Sequence, residues 1–352
     1  MIDFIIVGRG LAANVLAHNF HKNNITFNLI GNDKLSNCSN AAAGIWNPVV
    51  FKRLTKSWLA QDLISCLNKF YTECERRVNS KILTQRVIIK PFTEDQEKKL
   101  WVKKAKSELI DFLDETIYNF DLPELSNCKI SNQYGVVKQS GNLDLSEFCK
   151  SSSLFFQQNI LDEFFDHKKL IFNNTSVTYN NVIAKNIIFC EGYLVKSNPY
   201  FNWIPLKPAK GETLIISAPD LKFKNKIVNK NGFLIDLKNG VFKLGATYNW
   251  DHLSDECTDQ GLQELKSKLN SLINCDYSII SHLAGVRPSS IDRRPIIGAH
   301  PEYKNLFVFN GLGTKGVMLA PYFSENFVNF YLKNEPLIDD VHVKRFYSNY
   351  AG

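Results

Sequence analysis

The chain has 352 residues, 44% hydrophobic and 22% charged, with a formal net charge of +7. That length favours two domains, and the composition is that of an ordinary globular protein, not a disordered or fibrous one. No apolar run reaches membrane-spanning length; the positive charge is spread along the chain without a basic block, so it reads as a general Lys bias before it reads as attraction to RNA or an anionic membrane.

Phe4-Ile5-Ile6-Val7 is a short apolar run of the kind buried in a parallel sheet. It leads into Gly8-Arg9-Gly10-Leu11-Ala12-Ala13, and Leu11, Val15, Leu16 and Phe20 follow on one side of a helix. A glycine turn between a buried strand and a helix holds a dinucleotide pyrophosphate. Gly8 permits the tight turn, Gly10 lets the backbone approach a phosphate, and Ala13 lets helix and strand pack closely. The helix N-terminus adds free N–H groups and partial positive charge. No leader precedes this strand, so the chain is expected to be cytoplasmic. Its cysteines (Cys38, Cys66, Cys74, Cys128, Cys149, Cys190, Cys257, Cys275) are expected to be reduced; they form no CxxC pair and no metal-type spacing with His.

The next strand, Ile25–Ile30, normally ends in an acid for the ribose hydroxyls. Gly31, Asn32 and Asp33 stand there, so Asn32, Asp33 or the backbone must serve. Residues 38–50 are small and turn-forming around Ala41-Ala42-Ala43-Gly44, either a backbone cradle for a flat ligand or a plain loop stopped at Pro48. From 55 to 135 the chain is richer in charge. Helices are expected at 58–77 and 94–115, with a strand near Ile82–Ile89.

Gly141–Leu145 begins a helix that Asp144 caps. Asn186–Cys190 is a buried strand ending at Glu191-Gly192. Asn239-Gly240 between Phe233–Leu237 and Val241–Leu244 marks a hairpin, and Leu262, Leu265, Leu269 and Leu272 follow at helical spacing. Asn305–Phe309 is a strand, Gly311-Leu312-Gly313-Thr314-Lys315-Gly316 a second glycine turn, and Val317 opens a helix that tolerates Pro321 in its first turns. A second helix end thus points its dipole at something; the reduced N1/C2 carbonyl edge of a flavin is one such anion.

These segments, with Pro205–Glu212, Leu244–Thr247 and Ala284-Gly285-Val286-Arg287-Pro288 followed by Asp292, Pro295 and Gly298, occur in an order that resembles the D-amino acid oxidase/glycine oxidase superfamily of FAD-dependent amine oxidoreductases. Ala43–Pro48 looks most like the glycine oxidase branch, and also like the oxidase domain of the bifunctional enzyme that makes methylaminomethyl-thiouridine in tRNA. The resemblance selects FAD over NAD. It implies an α/β plus α+β fold: a Rossmann-type FAD-binding domain from residues 1–50, 140–200 and 285–352, interleaved with an antiparallel-sheet substrate domain from 51–139 and 201–284.

It further implies that Gly8, Gly10, Leu11, Ala12, Ala13, Asn32, Ala42, Ala43, Gly44, Trp46, Gly192, Arg287, Gly311, Gly313, Thr314, Lys315, Gly316 and Val317 meet the cofactor. Arg287 would bind a substrate carboxylate; its competing role is an inter-domain ion pair. Tyr248 would wall the substrate pocket, with Trp250 as its neighbour; both could equally be core or rim aromatics. Lys315 would face the flavin or solvent. His282 and His300 read as packed or surface histidines. No cysteine lies beyond Gly285, so FAD is expected to be non-covalent. The expected reaction is oxidation of the C–N bond of a small amino-acid-like substrate to an imine, with oxygen or a quinone as acceptor. The alternatives are oxidative trimming of a carboxymethylaminomethyl-uridine in tRNA, and a scaffold that binds FAD without turnover.

Overall fold

The structure is a computed structural model that describes residues 1–32, 38–119, 127–129, 133–223 and 225–350. Asp33, one of the residues expected to meet ribose, lies outside the described residues.

The first strand, Ile2–Val7, pairs in parallel with Phe27–Ile30 on one side and Val182–Phe189 on the other, with Ile6 opposite both Leu29 and Ile188. Leu306–Asn310 adds in parallel beside Val182–Phe189, and Ile296–Ala299 closes that edge antiparallel. Phe4 and Ile6 are buried with the helices Leu11–Lys22 and Gly316–Lys333, while Ile5 and Val7 are buried on the opposite face with Val177, Tyr179 and Phe189. Burial on both faces is why this run is continuously apolar and not alternating.

Pro321 sits inside the helix Gly316–Lys333. Lacking an N–H, it leaves the carbonyl four residues back, that of Val317, without its helical donor. The Tyr71 hydroxyl supplies one, donating to Val317 O at 3.2 Å.

The second large sheet has eight strands, with Ala209–Ser217 paired antiparallel to Val241–Gly245 and to Ser278–Arg287. The expected hairpin forms between Phe233–Lys238 and Val241–Gly245, with Asn239 and Gly240 both at positive φ (55° and 75°), as a tight hairpin turn requires. Helix Asp259–Asn270, capped by the Thr258 hydroxyl, buries Leu265 and Leu269 against Leu214, Ile216 and Leu244 on one face of this sheet. Strand alternation therefore puts Gly211, Thr213 and Gly245 on the opposite face.

Three elements differ from expectation. The single strand near Ile82–Ile89 is two, Leu83–Gln85 and Val87–Pro91, in different sheets. The break is Arg86, buried, its Nε donating to Asn142 Oδ1 at 2.7 Å and its Nη2 to Asp236 O at 2.9 Å. The helix expected to reach 115 ends at Ala105. Beyond it the backbone pairs with strand Gln133–Val137 instead (Asp114 N to Val136 O, 2.9 Å; Lys138 N to Phe112 O, 2.7 Å), so sheet-edge hydrogen bonding overrides local helical preference. Gly141–Leu143 is a strand; the helix begins after it at Leu145, with Asp144 accepting from Glu147 N at 3.0 Å as expected.

Candidate active site

A cavity of about 810 Å³ lies between the two large sheets, within the size range of cofactor sites. Its walls come from every segment that the glycine motifs singled out. Gly8, Gly10, Leu11, Ala12 and Asn32 line it from the first βαβ unit; Ala42, Ala43 and Gly44 from the small-residue loop; Gly192 from the end of Val182–Phe189. Gly313, Thr314, Lys315, Gly316 and Val317 line it from the second glycine turn, and Tyr248 and Arg287 from the eight-stranded sheet.

Ala13, Trp46 and Gly311 do not line it. Ala13 is fully buried in the helix, consistent with a packing role. Trp46 is fully buried too, its Nε1 donating to Gln139 O at 3.1 Å and its ring lying where a Cβ on Gly141 would stand. It is a core residue behind the cavity, which corrects the expectation that it meets the cofactor. Gly311 takes positive φ and packs against Arg294 O and Ile296, so its part is the turn itself.

The cavity fits a dinucleotide on its own chemistry. Two helix N-termini, at Gly10 and at Lys315, open on it without a side-chain cap. The Leu11 N–H donates to Ser39 Oγ at 3.0 Å, but among the described residues the amides of Ala12 and Ala13 have no acceptor. Orphan donors at a helix start are an anion site. Gly10 has an ordinary φ of −79°, and a Cβ there would meet only Ser39 Oγ within 4 Å. The space beyond is where a phosphate would lie. Gly31, in place of the usual acid, has a local reason: a Cβ there would stand 2.8 Å from Arg9 Cγ, and Arg9 is pinned to Ser153 Oγ and Asp162. Glu191, which the sequence reading did not single out, also lines this cavity, paired with His167 (2.9 Å) and Asn198 (2.7 Å).

Arg287 is seated by backbone. Its guanidinium donates to Lys210 O at 3.2 Å and Thr247 O at 3.4 Å, and stacks 4.3 Å from the Tyr248 ring. It lies on Gly211, where a Cβ would come within 2.0 Å of Nη2. No carboxylate pairs with it among the described residues, so the inter-domain ion pair is not what holds it. Tyr248 is half-exposed and stacks on the similarly exposed Trp250, 6.0 Å between centroids. Of the two, Tyr248 reaches the cavity.

Two buried lysines flank the site. Lys315 donates to Ser57 Oγ and to Asn47 O, and burial pulls its ammonium down to about 8. Lys243, which sequence spacing gave no reason to select, donates to Ala42 O at 2.8 Å and Asn40 O at 3.3 Å, tying the small-residue loop to the sheet. Burial lowers it to about 8, against the opposing pull of Asp144 and Cys38. His282 and His300 lie away from the cavity: His282 pairs with Glu212 at 2.8 Å, and His300 is buried and accepts from Tyr303 N at 3.3 Å. Among the described residues, Glu212, Cys257 and His282 bring metal-type donors within 4.8 Å of one another. The Lys210 ammonium stands 3.4 Å from that carboxylate, and Thr258 already donates to both its oxygens. A cation there would face a fixed positive charge.

Residues 3–328 match the family model described as DAO, FAD dependent oxidoreductase. The chain is 25% identical to the glycine oxidase of Pseudomonas putida and 26% identical to that of Bacillus subtilis; these alignments cover 39% and 40% of this chain and 38% and 39% of the relatives. In structure it is similar to the glycine oxidase of Bacillus cereus (TM-score 0.77, 18% identity, 96% of each chain). It is likewise similar to the L-α-glycerophosphate oxidase of Mycoplasma pneumoniae solved with FAD bound (TM-score 0.75, 15% identity, 96% of this chain and 95% of that one). No helix among the described residues is long and apolar enough to cross a membrane. With a cradle built from both glycine turns and a family match over nearly its whole length, this chain belongs to the DAO family of FAD-dependent oxidoreductases, and FAD is its cofactor.

Proposed function

We propose that the enzyme oxidises the C–N bond of an amino acid or an N-substituted glycine, giving an imine that water then hydrolyses. The observation that carries this reading is Arg287: a guanidinium in the cavity wall, fixed by carbonyls and an aromatic face, with no carboxylate on it among the described residues. Its planar fork matches a substrate carboxylate. FAD, when bound, would be held by the two glycine turns and would supply the two-electron redox chemistry that this chain's side chains lack. This chain's residues orient the substrate and exclude water: Arg287 anchors the carboxylate, Tyr248 walls the amine side chain, and the apolar lining dries the site. Relatives named for glycine and a structural neighbour named for iminodiacetate support a small carboxylated amine as substrate.

Binding tests it. Arg287→Ala should lose affinity for small carboxylates by about tenfold to a hundredfold, with FAD retained. An unchanged carboxylate affinity would remove the assignment.

One observation favours a second reading. The tRNA 5-methylaminomethyl-2-thiouridine biosynthesis bifunctional protein of Legionella pneumophila aligns over 91% of this chain and 53% of its own length, at 23% identity. With the +7 charge, this supports a tRNA-borne carboxymethylamino group as substrate. Salt-sensitive tRNA binding is the expected sign; no binding at low salt excludes it.

A further inference from the structure

Beside Arg287 the cavity wall carries a second group of donors that the chemistry proposed above does not use. Lys268, on helix Asp259–Asn270, donates to Ala246 O at 2.8 Å and pairs with Glu264 at 2.8 Å. An ammonium has three N–H bonds, so one is left. Asn229 and Asn231 line the cavity with it, and among the described residues their side-chain amides have no partner. Asn231 holds positive φ (54°), and the adjoining Gly232 lies at 3.7 Å, by its would-be Cβ, from the Lys268 side chain. The chain therefore turns tightly here and sets these groups side by side.

Lys268 bonds the carbonyl of Ala246, and Arg287 bonds that of the next residue, Thr247. Each cation is one hydrogen bond from neighbouring carbonyls, so the two stand within roughly 11 Å of each other. Both line the same cavity, and Glu191, the acidic residue among the described lining residues, is committed to His167 and Asn198. A glycine-sized substrate held by Arg287 would leave the second group of donors idle.

We propose that Lys268, Asn229 and Asn231 form a second anion subsite. The substrate is then an amine with two carboxylate arms, one on Arg287 and the other on Lys268. The inference rests on Arg287 binding the first carboxylate. Glu264 holds part of the Lys268 charge and so tempers the subsite; its carboxylate is 45% exposed, where a pair contributes little.

Calorimetric titration of the FAD-loaded enzyme tests this, with acetate as the one-armed probe and iminodiacetate as the two-armed probe. In the wild type iminodiacetate should bind at least about tenfold more tightly than acetate. Lys268→Gln should bring that ratio below about threefold. Glu264→Gln should raise the ratio by about twofold to fivefold, since it frees the ammonium; a merely structural Lys268 would not respond in that direction. Asn231→Gly keeps the backbone conformation, removes the amide and should lower the ratio, which covers the case of a misfolded Lys268 variant. A ratio that is the same in the wild type, Lys268→Gln and Asn231→Gly overturns the subsite. Arg287→Gln separates the two claims: if it weakens acetate while Lys268→Gln changes nothing, Arg287 stands and the subsite falls; if it leaves acetate unchanged, the reading beneath both fails.

Discussion

Replacing Gly10 with Val separates the fold from the cofactor cradle. Gly10 has φ −79° and ψ −169°, which any residue adopts, and a Cβ there meets only Ser39 Oγ, at 3.3 Å. The change costs about 1 kcal/mol as a poorer helix N-cap. The branched side chain then occupies the space in front of the Ala12 and Ala13 amides, which have no acceptor among the described residues. Two hydrogen bonds to a charged phosphate are worth about 1.5–3 kcal/mol each, so FAD should bind about 10²- to 10⁴-fold more weakly. The assay is titration of apo-protein with FAD, followed by quenching of flavin fluorescence, beside thermal unfolding of the same apo-protein. Gly8→Val is the contrast. Gly8 has φ +121°, and its Cβ would stand 2.6 Å from Cys190 O, so that variant should fail to fold. If Gly10→Val bound FAD as tightly as the wild type, the cradle would be misplaced.

Gly211→Ala should leave the fold intact, because the clash is with the far end of a flexible side chain, but displace the Arg287 guanidinium and cut carboxylate affinity about tenfold or more; calorimetry with acetate reads it. Tyr71→Phe strips the donor from the buried Val317 carbonyl and should cost about 1–3 kcal/mol in urea denaturation. His18 is buried between Arg77 and Ser152, and burial first, then Arg77, lowers it to about 3 from 6.5. Between those values the unfolded chain binds a proton that the folded chain refuses, so stability is full above pH 6.5 and falls as the pH drops. By pH 5 the loss is about 2 kcal/mol. His18→Gln should remove that part of the difference between urea midpoints at pH 7 and pH 5.

Much of the cradle was legible because glycine turns are local. Gly8, Gly192, Gly240 and Gly313 all hold positive φ, and their neighbours in sequence supply the strand before or the helix after. The same logic misassigned Trp46. A motif position can be kept for packing, and here Gly141 is small so that the Trp46 ring can lie across it. Lys243 and Lys268 were not legible, because neither lies in a local motif. Lys243 reaches Ala42 across the fold, and Lys268 joins the cavity from the helix Asp259–Asn270, outside every glycine turn. Likewise nothing local announces that Arg86 breaks a strand; its partners Asn142 and Asp236 come from distant segments.

The most direct test of the central claim is the visible spectrum of the FAD-loaded protein before and after anaerobic addition of glycine, sarcosine, iminodiacetate and a panel of D-amino acids. In the wild type the flavin bands should bleach with a carboxylated amine, and in Arg287→Ala they should persist. Bands that persist with every amine in the wild type, or bleach equally in both proteins, would contradict that claim.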